Sequence, residues 1–188
     1  MIENELVNVS DRLRLHAKRS PDQMAIAIPQ QPHPRGKEAY RTVSFAELEH
    51  DVEVLAAGLR ASGMTAGQRI ALLVPMGYDF IALVFALLRT GIVAILIDPG
   101  MGRRNVLRCL AEAEPEGFIA IPLAHALRVF LQSRFPRSQH LVTVGRRWFW
   151  GGSTLDQIRA LGKQAPLVGA NTKANDPAAI IFTTGSTG

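Results

Sequence analysis

Thr183-Thr184-Gly185-Ser186-Thr187-Gly188 combines four hydroxyl side chains with two glycines in six positions. Gly185 and Gly188 permit backbone angles that turn successive N–H groups onto one point, and such a concavity binds anions. The hydroxyls of Thr183, Thr184, Ser186 and Thr187 add donors able to reach phosphate oxygens. An apolar segment, residues 178–182, leads straight into them, and α/β sheets bind ligands just beyond the carboxyl ends of their strands. The spacing is not Gly-x-x-x-x-Gly-Lys-Ser/Thr, so this is no Walker A loop. A flexible linker has the same composition. Two readings therefore stand at this point: a phosphate-binding loop, or a linker on a non-catalytic α/β interaction domain.

Other residues of reactive type point less far. Cys109 is the single cysteine, which rules out an internal disulfide, and its place among helix residues suits a small buried side chain better than a nucleophile. His16, His50, His125 and His140 lack metal-ligand spacing, and His33 lies in a proline-rich stretch. Arg146-Arg147-Trp148-Phe149-Trp150 joins cations to amphipathic rings, fitting either a membrane or partner interface or a cluster packed on its own domain.

The formal charge is 21 − 16 = +5, and it is regional: residues 101–150 hold eight arginines against three glutamates, also +5. Such a region suits an anionic lipid surface, an acidic partner such as a pathway enzyme, or a phosphorylated ligand; solvated helix faces are the plainer reading. Arg108, Arg128 and Arg134 are scattered among apolar positions rather than aligned in a stripe, which argues against nucleic acid. The acidic start, Met1-Ile2-Glu3-Asn4-Glu5, is not a secretory signal, and one cysteine suits a reducing compartment, so a cytoplasmic location is expected.

The elements that must position the loop are legible in the pattern. Helices are expected over 10–19, from 45 to a stop at Gly63, over 78–88, 103–113 and 124–135, and near 156–161. Phe45, Leu48, Val52, Leu55 and Leu59 share one helix face, and Ser44-Phe45-Ala46-Glu47 is a capping box. Strands are expected over 24–28, 40–43, 69–74, 93–97, 117–121, 140–144 and 178–182, with a loop over 29–39. Near-continuous apolar strands separated by helices indicate a parallel-rich sheet with helices on both faces, an α/β fold. The apolar run from Phe80 to Ile97 is interrupted by Arg89-Thr90-Gly91, so it reads as a helix followed by a buried strand rather than a membrane span.

Three stretches carry a family resemblance. They are Thr42-Val43-Ser44-Phe45-Ala46-Glu47-Leu48; Gly67 to Pro75, continuing through Ala86-Leu87-Leu88-Arg89-Thr90-Gly91 to Ile97-Asp98-Pro99; and Ile181-Phe182 with the loop 183–188. In this order and at these separations they resemble the N-terminal part of the large domain of adenylate-forming enzymes, a superfamily that includes acyl-CoA synthetases and peptide-synthetase adenylation domains. The resemblance implies that residues 1–188 are the N-terminal portion of that domain. It implies that Thr183, Thr184, Gly185, Ser186, Thr187 and Gly188 hold the β- and γ-phosphates of ATP, with Mg²⁺ bridging phosphate oxygens. Ser44, Glu47 and Gly91 look structural in the family, Gly91 by allowing close helix–strand packing. The family's remaining loop residues, adenine pocket, magnesium-binding glutamate and mobile C-terminal domain do not occur in these residues, and its catalytic residues are not identified among them.

The run Gly100-Met101-Gly102-Arg103-Arg104-Asn105-Val106-Leu107-Arg108-Cys109-Leu110-Ala111-Glu112 is similar to that of bacterial olefin β-lactone synthetases. That similarity implies adenylation of a long-chain 3-hydroxy acid and closure of a β-lactone with loss of AMP. A long-chain fatty acyl-CoA ligase or a fatty acyl-AMP ligase is the alternative within the same superfamily.

Overall fold

The computed structural model describes residues 8–29, 40–166 and 169–182. Helix α1 (Val9–Arg19) is followed by the antiparallel pair β1 (Met24–Pro29) and β2 (Tyr40–Ser44). Ser44 then caps α2 (Phe45–Ala61). Its hydroxyl accepts from the Glu47 N–H while the Glu47 carboxylate accepts from the Ser44 N–H, which satisfies two backbone donors reciprocally. Hydrogen bonding to Ser44 holds the Glu47 carboxyl below the usual carboxylate range.

Strands β3 (Arg69–Leu73), β4 (Val93–Ile97), β5 (Gly117–Ala120), β6 (His140–Thr143), β7 (Ser153–Thr154) and β8 (Ala179–Phe182) form one sheet in the order β7-β6-β5-β3-β4-β8. All of their pairings are parallel. Helices α3 (Tyr78–Arg89), α4 (Arg103–Ala113), α5 (Pro122–Phe130) and α6 (Leu155–Gly162) connect or follow the strands. Residue alternation along each strand divides the core. Ile70, Leu72, Ala94, Ile119 and Val142 pack with α1, α2, α3 and α6, whereas Ala71, Ile95 and Phe118 pack with α4 and with Phe135. The expected α/β architecture, parallel with helices on both faces, is the one observed.

Some boundaries differ from the sequence reading for local reasons. The helix expected over 124–135 begins at Pro122, whose fixed φ and missing N–H suit the first helical turn, and it gives way to a 3₁₀ turn at Gln132–Arg134. Strand β7, two residues long, has no pattern to read. It ends at Thr154, which caps α6 in a second capping box with Gln157.

Charged groups lock the α1/α2/α3/α6 face. Arg89, which interrupts the apolar run, is buried with Glu49 in a bidentate pair, Nη1–Oε1 2.8 Å and Nη2–Oε2 2.7 Å. Arg89 Nη2 also donates to the Ser10 carbonyl, joining α1 to α2 and α3. Arg159 of α6 donates to Asp51 of α2 at 2.9 and 2.8 Å and to Asp79 of α3 at 2.8 Å. Hydrogen bonding to Asp51 holds the Arg159 guanidinium protonated more firmly than usual. Burial raises the Tyr78 phenol well above its ordinary value, and the Asp51 carboxylate raises it further.

Gly58 and Gly162 let α2 and α6 touch, since a Cβ on either would meet a backbone carbonyl, of Ile158 and Val54 respectively. Gly91 has φ +68°, and its close neighbours are Ala66, Ala170 and Thr172, so its packing partners are connecting segments rather than a helix against a strand. Among the described residues no helix is long and apolar enough to cross a membrane.

Candidate active site

From β3 the chain moves to β4 on one side through α3, then returns past β3 to β5 and onward to β6. The connections after β3 and after β5 therefore leave on opposite faces, and a crevice opens between their carboxyl ends. Open α/β sheets bind ligands at such a reversal. Strand β8 joins the other flank of β4, with Phe182 paired to Ile97. It therefore ends beside the turn at Asp98, whose Oδ1 accepts from the Gly100 N–H at 2.8 Å.

A cavity of about 840 Å³ lies along this edge and beneath α4 and α5. Its walls come from the ends of β3, β4 and β8, from Val106, Leu107 and Leu110 of α4, and from Ala124 and Leu127 of α5. The lining is almost wholly aliphatic and aromatic; Asp98 and Arg128 are its charged members. Such a space has the size of a small-molecule site and the chemistry to hold a hydrocarbon chain, with few polar groups to fix an orientation. Met76 and Ile181, at its edge, are exposed.

Helix α5 is the wall with unspent polarity. Arg128 Nε is buried without a hydrogen-bond partner among the described residues, and burial lowers the pKa of the guanidinium. On the sheet side of α5, His125 is fully buried, with Nε2 2.9 Å from the Val142 carbonyl. That contact makes Nε2 the protonated nitrogen of the neutral ring, since a carbonyl can only accept. Burial lowers the His125 pKa, the Val142 carbonyl partly opposes this, and the Arg128 charge adds to it. The Trp150 ring lies 5.4 Å from His125, and its Nε1 donates to Thr143 Oγ1 at 2.9 Å.

A histidine with a depressed folded-state pKa stabilises the fold fully above its unfolded value, about 6.5. That stabilisation is lost as pH falls from there through the folded value, because the unfolded chain binds the proton more readily. Thermal unfolding of the full-length protein should therefore drop between neutral and mildly acidic pH, and His125→Gln should flatten that dependence. An equally steep profile in the variant would assign the effect to other groups.

The six loop residues expected to bind phosphate, Thr183, Thr184, Gly185, Ser186, Thr187 and Gly188, lie outside the described residues. The strand leading to them is in place as β8. Cys109 is a free, buried residue of α4. The aromatic run after β6 is divided, with Trp150 inside and Trp148 and Phe149 outside. Sequence reading did not single out Arg128 or His125 for this wall. Only the pairing of a proline-started helix with the next strand puts His125 on the sheet and Arg128 in the cavity.

The family model described as AMP-binding enzyme matches residues 13–188. The chain is 43% identical over 188 residues to an olefin beta-lactone synthetase of Stenotrophomonas maltophilia, covering 98% of this chain and 34% of that protein. It is 42% identical over 184 residues to an olefin beta-lactone synthetase of Xanthomonas campestris pv. campestris, covering 97% and 33%. The chain thus spans about a third of the length of these relatives. Among solved structures, an acetoacetyl-CoA synthetase from Streptomyces lividans matches with TM-score 0.79 at 22% identity, covering 96% of this chain and 29% of that one. A long-chain-fatty-acid-CoA ligase from Archaeoglobus fulgidus matches with TM-score 0.77 at 19% identity, covering 96% and 35%. At these identities the structural likeness speaks for the fold alone.

Proposed function

The chain belongs to the AMP-binding family of adenylate-forming enzymes, and from that premise we propose that it is the N-terminal portion of the large domain of an enzyme converting a long-chain 3-hydroxy acid to a β-lactone. The observation that carries this reading is the 43% identity, across 98% of the chain, to a protein named for that product. The aliphatic cavity beside β8 supports a long-chain substrate.

The chemistry follows from charge. A carboxylate is a poor electrophile, so one of its oxygens attacks the α-phosphorus of ATP and pyrophosphate leaves. The acyl-adenylate formed has AMP as a good leaving group. The 3-hydroxyl oxygen of the same molecule then attacks the acyl carbon, its proton is lost, AMP departs, and a four-membered lactone closes. Catalysis is mainly positioning and neutralisation of phosphate charge. Thr183 to Gly188 are the proposed phosphate-holding residues, through backbone N–H groups and hydroxyls.

Mg²⁺ bound to ATP would neutralise charge on the phosphate oxygens. Among the described residues no group of three or more His, Cys, Asp or Glu side chains is placed to hold a metal.

The full-length protein, given ATP and a long-chain 3-hydroxy acid without coenzyme A, should release AMP steadily. Mass spectrometry should find the acid less one water. The unsubstituted acid should stall as a bound adenylate, since tethering supplies an effective concentration on the order of 10⁵ M or more, reduced here by ring strain. A thioester formed only with coenzyme A would instead assign a fatty acyl-CoA ligase. A released acyl-adenylate that never cyclises would assign a fatty acyl-AMP ligase. Absence of any acid-dependent AMP would leave an interaction domain.

A further inference from the structure

We infer that Arg128 is the carboxylate-pairing residue of the cavity beside β8, where the full-length protein binds a long-chain carboxylate before any nucleotide. The hydrocarbon chain lies against the aliphatic walls and the charged head on the guanidinium. Arg128 and Asp98 are the charged members of the lining, among apolar side chains such as Val106, Leu107, Leu110 and Phe135. Asp98 has a partner, since its Oδ1 accepts from the Gly100 N–H. Arg128 does not. Its Nε is buried without an acceptor, and no carboxylate among the described residues lies within ion-pair distance of it. His125, one turn earlier on α5, leaves Nδ1 buried and unpartnered as well, so the two side chains do not satisfy each other.

Burial, not exposure, sets Arg128 apart. The described residues by themselves already strip water from the guanidinium, and that lowers its pKa. Chain packed over them can only deepen the effect. An arginine nonetheless stays charged at physiological pH. A buried cation without counter-charge is among the costliest groups a fold can hold. The desolvation of this cation is complete before a ligand arrives, so an incoming carboxylate gives up only its own hydration. The planar guanidinium also matches a carboxylate with two parallel hydrogen bonds.

The walls decide the rest of the ligand. Inorganic phosphate or a short acid would set its hydration shell against aliphatic side chains. An acid with a hydrocarbon tail covers those side chains and meets the charge at once. This pairing rests on the long-chain reading proposed above, yet it is read without ATP, so carboxylate binding and lactone formation fail separately.

The test is titration calorimetry of the full-length protein, without nucleotide, using dodecanoate and methyl dodecanoate below their aggregation limits. Arg128→Met keeps an apolar side chain of similar length. It should weaken dodecanoate at least about tenfold and methyl dodecanoate no more than about twofold. Arg128→Lys should recover most of that loss, because it restores the charge. A second measurement needs no variant. Dodecanoate labelled with ¹³C at its carboxyl carbon and bound to the parent should ionise at lower pH than the free acid, because the guanidinium favours the anion. Equal weakening of acid and ester overturns the proposal, as does dodecanoate binding unchanged in Arg128→Met or absent in the parent. A bound carboxyl that ionises at higher pH than the free acid overturns it too, since that marks an apolar cavity with no cation in reach. If an acidic side chain elsewhere in the full chain is the partner of Arg128, ligand-free Arg128→Met unfolds at lower temperature while dodecanoate binding is unchanged, and the proposal falls.

Discussion

Replacing Thr184 and Ser186 together by alanine in the full-length protein should lower carboxylate-dependent ATP–pyrophosphate exchange by at least about tenfold. Each hydroxyl is proposed to donate to a charged phosphate oxygen, and such a charge-assisted bond contributes about 1.5–3 kcal/mol. The two losses need not add, since neighbours in one network couple, but even one such bond at the lower bound is about tenfold. The alternative predicts nothing of the kind. A linker with the same composition tolerates both substitutions, so unchanged exchange in the double variant would show that the loop does not act on phosphate. Thermal stability separates the outcomes from misfolding, because a lost phosphate contact lowers exchange without lowering the unfolding temperature of the ligand-free protein.

Arg89→Ala should cost about 3–5 kcal/mol of stability, a large share of the roughly 5–15 kcal/mol that holds an ordinary domain folded. Among the described residues the substitution leaves the buried Glu49 carboxylate with Arg14, at 3.5 Å, as its remaining cationic partner. Removing both charges is a different experiment. Glu49→Leu with Arg89→Met keeps similar volume and abolishes the desolvation of two ions, so it should recover most of what either single change loses. Thermal unfolding and soluble yield of the two single variants and the double read this directly. A single variant as stable as the parent would mean that water reaches the pair in solution.

The same pair shows where sequence reading stops. The Ser44–Glu47 capping box was legible because its partners are three residues apart and its geometry is local. Arg89 was legible only as an interruption, since its partner lies 40 positions away on another helix. The Thr154–Gln157 box carries the same local signal as the first but follows a two-residue strand with no apolar alternation to announce it. Strand existence and parallel sense followed from apolar runs alternating with helices. The strand order did not, because nothing local to β8 says that it will lie against β4 rather than β6. Trp148 and Trp150 differ in burial although they stand two positions apart, and only the packing of Trp150 on His125 decides it. For the candidate site, composition supplied the loop residues, whereas the cavity wall required the fold.

The order β3-β4-β8 also sets a timetable. Arg69 of β3 meets Val93 of β4 across 93 − 69 = 24 residues. Ala94 of β4 waits for Ala179 of β8 across 179 − 94 = 85. At a synthesis rate of about 5–20 residues per second, the β4 flank destined for β8 stays unclaimed for roughly four to seventeen seconds after it leaves the ribosome. During that interval it is an apolar strand with open N–H and C=O groups, the usual template for joining a foreign chain. A slow stretch of translation between residues 97 and 179 lengthens that exposure without altering a single contact in the finished protein. Yield of this protein in a foreign host should therefore respond to codon choice in that interval.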